Sequence, residues 1–326
     1  MISDKVVFVL GAGASIPFGF PSGESLVDQI LKIKKEDVAS YGRKCEDIMK
    51  EMNFDNNLMI QLQKVLRRSQ INSIDSFLAQ PKNQQFVDLG RLLIAAQLIP
   101  HENTDTLFTK RSGSDGNWYN LVWNNLSDYQ SMEEFLESLS LTFITFNYDR
   151  SFEHYFYTVL KTRFDTDSSK IRGFLKNVIH VHGLLGNHPC INKDDCRPYG
   201  KKYFSNITGA TKDFNDIKKA MKKIKIVHEV GKFPEKSTIN AKISQADRLV
   251  FLGFGYQADN IAKLFQGVTE PPKKIMGTSF GLKSAEVSAA RNRIAKALHI
   301  SEGNVDIDCL PELGCYDFLR EKFKFS

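Results

Sequence analysis

The sequence predicts a parallel α/β sheet covered by helices on both faces and interrupted by a large helical insertion. Three observations carry this. An apolar run at Val6–Leu10 ends in a glycine-rich turn and leads into a helix. Residues 36–140 then show helical periodicity almost throughout. From Leu141 onward, short apolar runs alternate with helices, the pattern of a parallel sheet buried on both sides.

The elements follow in order. Val6–Leu10 is the first strand and Ser22–Ile33 the first helix. In the insertion, Leu58, Leu62, Val65 and Leu66, and later Phe86, Leu89, Leu92, Leu93 and Ala96, recur at three- and four-residue steps, as on amphipathic helices. Pro100 ends the second of these, and the polar stretch Asn103–Asn117, with Gly113 and Gly116, reads as a loop before a further helix carrying Trp118, Leu121, Val122 and Leu126. Beyond it the spacing predicts strands at 141–146, 177–182, 248–253 and 273–279, and helices at 150–161, 257–266 and 283–298. Residues 184–240 carry Gly, Pro, Asn and Lys with little regular pattern, which suggests an irregular lid or small lobe. The expected organisation is therefore a Rossmann-like domain built from 1–35 and 141–326, an insertion at 36–140, and the lid within the main domain.

Composition excludes several classes. At 326 residues the chain is long for one core, which suits one α/β domain with an insertion, or two lobes. No early run is long enough to span a bilayer and no cleavage pattern follows Val6–Leu10, so a cytosolic protein without a membrane role is expected. Five cysteines, Cys45, Cys190, Cys196, Cys309 and Cys315, suit reduced thiols better than a disulfide framework. Cys190 and Cys196, with His188 nearby, are separated by five residues, a poor zinc knuckle, so no metal is expected. The net charge of +6 is partly local, with Lys212, Lys218, Lys219, Lys222, Lys223 and Lys225 close together. They form a solvated helix face or a docking surface for an acidic partner; no nucleic-acid motif accompanies them, and direct sequence-specific binding is not expected.

Three predicted strand ends carry the candidate chemistry. Gly11-Ala12-Gly13-Ala14-Ser15 closes the first strand, where backbone N–H groups can point at one spot and hold a phosphate. An ordinary tight turn is the alternative. The dehydrogenase pattern G-x-G-x-x-G fails because Ile16 stands where its third glycine belongs, which disfavours hydride transfer. Asn147-Tyr148-Asp149 ends the second strand, where Asn147 could instead close an Asx turn and Asp149 cap the next helix. His182-Gly183 ends the third. His180 and His182 lie two residues apart, hence on one strand face, and His182 is favoured as the functional histidine because it abuts the strand end. Glu153 and His154 on the following helix read as packing or surface residues. Gly253, Gly255 and Tyr256, then Gly277, Thr278 and Ser279, mark two later strand ends at which a ligand could approach the backbone.

Taken jointly and in order over residues 5–280, these motifs resemble the sirtuin family. Gly11–Ser15 with Phe20-Pro21 looks like its nucleotide-binding opening, Asn147-Tyr148-Asp149 like its Asn-x-Asp motif, His182-Gly183 like its catalytic His-Gly, and Asp247–Tyr256 like the later strand that closes over the cofactor. Two departures matter. Ser22-Gly23-Glu24 stands where protein deacylases usually carry Asp-Phe-Arg, and no Cys-x-x-Cys pair exists for their zinc module. The chain is thus more similar to the sirtuin-like NAD-hydrolysing effectors of bacterial antiphage defence. That resemblance implies NAD as substrate, Gly11, Ala12, Gly13, Ala14, Ser15 and Pro21 with Gly253, Gly255, Tyr256, Thr278 and Ser279 as its contacts, Asp149 at the carboxamide, Asn147 orienting ribose or water, and His182 as base. It further implies a homo-oligomer or a complex with a co-encoded regulatory protein. An NAD-dependent deacylase and a catalytically silent NAD-sensing subunit are the alternatives.

Overall fold

The computed structural model describes residues 4–34, 45–109, 116–126, 128–192, 195–200, 210–226, 235–307 and 313–325. Gly113 and Cys309 lie outside the described residues, as do the side chains of Cys45 and Lys212.

The first strand, β1 (Val6–Leu10), is five apolar residues buried on both sides, and a strand of that kind is stable only with helices on each face. After two short 3-10 turns the chain enters α1 (Gly23–Lys32), which Ser22 caps by accepting a hydrogen bond from Ser25 N and Glu24 supports in its first turn. The insertion follows as α2 (Cys45–Glu51), α3 (Asn56–Ser69), α4 (Ile74–Leu78), α5 (Val87–Leu98), α6 (Thr104–Phe108), α7 (Trp118–Asn124) and α8 (Met132–Glu137), with no strand among its described residues. The sheet resumes with β2 (Leu141–Thr145), then α9 (Ser151–Phe164), α10 (Ser168–Leu175) and β3 (Val178–His180). The chain continues through α11 (Ala210–Lys223), α12 (Lys236–Ser244), β4 (Arg248–Leu252), α13 (Ala258–Phe265), β5 (Lys274–Gly277), α14 (Ser284–Leu298), β6 (Val305–Ile307) and α15 (Cys315–Glu321).

All six strands are parallel, in the order β3-β2-β1-β4-β5-β6. This is the doubly wound, Rossmann-like order, whose switch point lies between β1 and β4. Leu10 pairs with Thr145 on one side and Leu252 on the other, so the turns after β1, β2 and β4 leave the sheet level with one another. One face packs Val6, Phe8, Leu10, Phe143 and Val250 against α1, the insertion, α9 and α15. The other packs Val7, Val9, Ile144, Phe251 and Ile275 against α12, α13 and α14.

Predicted and observed elements differ in several places: the stretch Asn103–Asn117, read as a loop, contains α6, and α10 and α15 have no predicted counterpart. The stretch 184–240, read as irregular, contains α11 and the start of α12 among its described residues. In α11, Ile217 and Ala220 are buried in the same core as the insertion, where the helix lies against α5, and the lysine-rich composition hid that apolar stripe. Of those lysines, Lys219 donates to Cys196 O at 2.9 Å and Lys223 pairs with Asp195 at 3.0 Å, while Lys218 and Lys222 are exposed. The strand β6 was missed because three residues carry too little period to be read. No helix among the described residues is long and apolar enough to cross a membrane.

Candidate active site

The turn after β1 runs between two clefts. On the β2 side a cleft of about 510 Å³ is lined by Ala12, Ser15, Pro21, Asn147 and Asp149, with Phe20, Asp75, Phe146 and Tyr148 completing its walls. On the β4 and β5 side a cleft of about 690 Å³ is lined by Gly13, Gly253, Phe254, Gly255, Thr278 and Ser279, with Ile16 and Phe280 exposed at its mouth. Two clefts divided by one turn at the switch point suit a ligand with two halves.

The turn's glycines exist for contact with β4. A Cβ on Gly11 would stand 2.5 Å from Gly253 O, and one on Gly253 would stand 2.0 Å from Ala14 N. Gly253 also has φ +57°, which disfavours any side chain there. This contact spends the turn's donors: Gly11 N bonds Leu252 O at 3.0 Å, Gly13 N bonds Gly253 O at 2.9 Å, Ala14 N bonds Gly11 O at 2.9 Å, and Ser15 N bonds Ala12 O at 3.1 Å. The expectation that the whole Gly11–Ser15 backbone cradles a phosphate therefore needs correction, since four of its five amides already donate within the protein.

A hydrogen-bonded trio lies on the β2 side. Asn147 Nδ2 donates to Gly11 O and to Ser15 Oγ, both at 2.9 Å, and Ser15 Oγ donates to Asp149 Oδ2 at 2.7 Å. Asp149 Oδ1 accepts from Ser151 N at 3.0 Å and from the Ser151 hydroxyl, so the carboxyl also holds the first residue of α9. Tyr119 of α7 meets Ser151 Oγ at 2.7 Å, and Trp118 Nε1 donates to Ala14 O at 2.8 Å, which ties the insertion to the turn. Burial raises the Asp149 pKa, opposed by the hydrogen bonds from Ser151 and Ser15.

The two histidines part company. β3 closes at His180, so strand alternation does not extend to His182, and the expectation of a shared face fails. His180 Nε2 meets Glu153 Oε1 at 2.6 Å and its Nδ1 meets Asn147 O at 2.9 Å. Burial opposes the charge on His180, yet attraction to Glu153 and these hydrogen bonds hold its pKa above the ordinary value. Glu153, also penalised by burial, is brought below its ordinary value by His180, so it is a buried ion-pair partner rather than a packing or surface residue. His182 turns instead toward Asp75 of α4, with Nδ1 3.8 Å from Asp75 Oδ1, and toward Asn260 and Lys263 of α13. Gly183, at φ +71°, permits this exit, because a Cβ there would stand 1.8 Å from Lys223 O. His182 is 2% exposed and does not line either cleft; Asp75, Phe146 and Tyr148 stand between. Burial lowers its pKa and leaves the ring neutral near pH 7.

Among the later contacts, Thr278 and Ser279 do line the second cleft, although Thr278 Oγ1 already accepts from Gly253 N at 2.8 Å. Tyr256 does not. Its ring is 1% exposed and its hydroxyl donates to Thr278 O at 2.8 Å, so it buttresses the turn from behind, and Phe254 takes the cleft position. Cys190 Sγ lies 3.0 Å from His188 Nδ1, and His188 Nε2 lies 3.4 Å from His154 Nδ1, a chain of contacts rather than a cage. Burial pushes the Cys190 thiol up to about 11, and no cluster of three or more His, Cys, Asp or Glu among the described residues could hold a metal ion. Asp75 escaped the sequence reading because nothing in a single short helix tells which cleft it will meet. Comparison with protein-family profiles and with curated proteins gives no match for this chain, so the site rests on its own geometry.

Proposed function

We propose that this chain is a sirtuin-like NAD glycohydrolase that cleaves NAD to nicotinamide and ADP-ribose. The observation that carries the reading is the Ser15–Asn147–Asp149 trio in a cleft separated by the β1 turn from a second cleft. The nicotinamide half would lie beside Asp149 and the adenosine half beside Gly253, Gly255, Thr278 and Ser279. Asp149, whose two oxygens accept from Ser15 and Ser151, would stand at the carboxamide as the resemblance implies. Cleavage of the glycosidic bond builds positive charge on the ribose, so polar groups held in place before the reaction lower its barrier. Asn147, anchored to the turn, would orient the ribose or the attacking water, and neutral His182 would serve as base.

The sealed position of His182 supports an enzyme that is held back until a partner or oligomerisation rearranges the site, as the resemblance to antiphage-defence effectors implies. The test is nicotinamide release from NAD by purified protein at low and high concentration, with candidate partners, and with and without an acyl-lysine peptide library. We expect turnover independent of peptide, and losses of about a hundredfold or more in folded Asn147→Ala and His182→Ala. Turnover only with peptide would replace the reading by a deacylase. NAD binding without turnover under every condition would replace it by a silent sensor.

A further inference from the structure

Asp75 belongs to the insertion, far in sequence from every motif above, yet its carboxylate stands in the cleft that Ser15, Asn147 and Asp149 line. Its side chain is 22% exposed, enough for a ligand to touch, while His182 behind it is closed off. The Tyr148 hydroxyl donates to Asp75 Oδ1 and fixes the carboxylate's orientation. Ser73 caps α4 by accepting from Ser76 N at 3.3 Å, which places Asp75 in the first turn of a helix held on the core by Ile74, Phe77 and Leu78.

The charged and titratable groups around it are few. His182 Nδ1 faces Asp75 at 3.8 Å and has no hydrogen-bond partner, while the ring's hydrogen bond goes to Asn260 of α13. Lys263 of α13 faces both and is itself half-buried. Asp149, the other carboxyl in the cleft, is occupied by Ser15 and Ser151. Asp75 is therefore the carboxylate in this cleft with capacity left for a ligand, and a carboxylate beside a sugar accepts hydrogen bonds from its hydroxyls and stabilises positive charge that develops on its ring.

We propose that Asp75 completes the site: it accepts hydrogen bonds from the hydroxyls of the ribose next to the scissile bond, and its charge holds His182 ready to take a proton. This rests on the NAD reading above and makes the insertion a part of the active site rather than a cover for the sheet. An α4 displaced from the cleft then takes the ribose contact with it.

The experiment compares NAD with its analogue lacking the 2′-hydroxyl on the nicotinamide ribose, by calorimetry on parental protein and Asp75→Asn, alongside nicotinamide release and the His182 titration followed by NMR. The parental protein should bind NAD about tenfold or more tighter than the analogue, and Asp75→Asn should lose that preference, since a hydrogen bond to a charged acceptor is removed. His182 should titrate at lower pH in Asp75→Asn. Unchanged preference, an unchanged titration, or faster turnover in Asp75→Asn, the mark of a plug rather than a ligand, would overturn the proposal. Should that variant fail to fold, Tyr148→Phe, which removes the hydroxyl that orients the carboxylate, should weaken the preference, and an unchanged preference there would count against Asp75. Hydroxyl discrimination without nicotinamide release would overturn the hydrolase reading and leave Asp75 assigned.

Discussion

The two faces of the sheet both carry a buried apolar core and differ in what else they bury. Against α12, α13 and α14 the contacts are aliphatic and aromatic, Val9 and Phe251 from the sheet meeting side chains such as Ile261 and Ile294. On the insertion side the same kind of core encloses ionised groups. Glu102 accepts from Arg150 Nη2 at 2.8 Å and from the Arg197 guanidinium, and all three side chains are 0–1% exposed. Arg150 Nη1 also donates to Arg197 O at 2.7 Å, and Arg197 Nε to Leu185 O at 2.8 Å, so the guanidiniums knit α9 and the segment after β3 to the insertion. Apolar burial is non-directional and gives stability without a unique docking angle, whereas a buried ion pair tolerates one arrangement. The face that carries Asp75 beside a cleft is the one that buries charges.

The sharpest way to break this contrast is Glu102→Ala, which leaves two guanidiniums buried without their carboxylate. A loss of about 3–5 kcal/mol is expected in denaturant unfolding. A loss below about 1 kcal/mol would mean that water reaches the cluster and that the charges are not structural.

A second difference is acid sensitivity, carried on the insertion side by two histidines. His154 and His188 are each lowered to about 4, chiefly by burial and then by Arg150. Their folded pKa values lie below the unfolded value of about 6.5, so the unfolded chain binds protons first. The stability involved is fully present above pH 6.5 and is lost as pH falls toward 4, by a few kcal/mol for the pair in order of magnitude. Denaturation midpoints at pH 7.5 and 4.5 measure this, and His188→Phe, beside Tyr157, should flatten the decline. An equal decline in that variant would move the cause elsewhere.

The smallest expected effect lies on the plain face. Ile294→Val removes one buried methylene from α14 and should cost about 0.5–1.5 kcal/mol with no change in ligand binding. A change in NAD affinity there would show that the two faces are coupled.

How much was legible follows from how far each signal reaches. The ends of β1, β2 and β4 were readable because a buried parallel strand must be apolar throughout and must stop where the chain turns, so Gly11, Asn147 and Gly253 announced themselves. Ser15 from the end of β1 and Asn147 and Asp149 from the end of β2 were brought together as two strand-end motifs of one sheet, whereas His182, from the third, lies outside the cleft. The errors came where a residue type allowed two roles. Tyr256 sits next to Gly255 and turned out to be buttress rather than contact, and the amides of Gly11, Gly13, Ala14 and Ser15 turned out to be spent. Glu153 looked like an ordinary helix residue because its partner, His180, lies 27 positions away.

The sequence by itself determined the parallel sheet, the helical insertion and the strand ends of β1 and β2 that line one cleft, because hydrophobic period and turn chemistry act over a few residues. Only the tertiary structure decided that Asp75 faces His182, that His180 belongs to Glu153, and that Glu102 joins Arg150 to Arg197. Each of those pairings spans 27 to 107 positions of chain and is chosen by the docking of whole helices on the sheet, where the cost of burying an unpaired charge selects the one arrangement that local pattern leaves open.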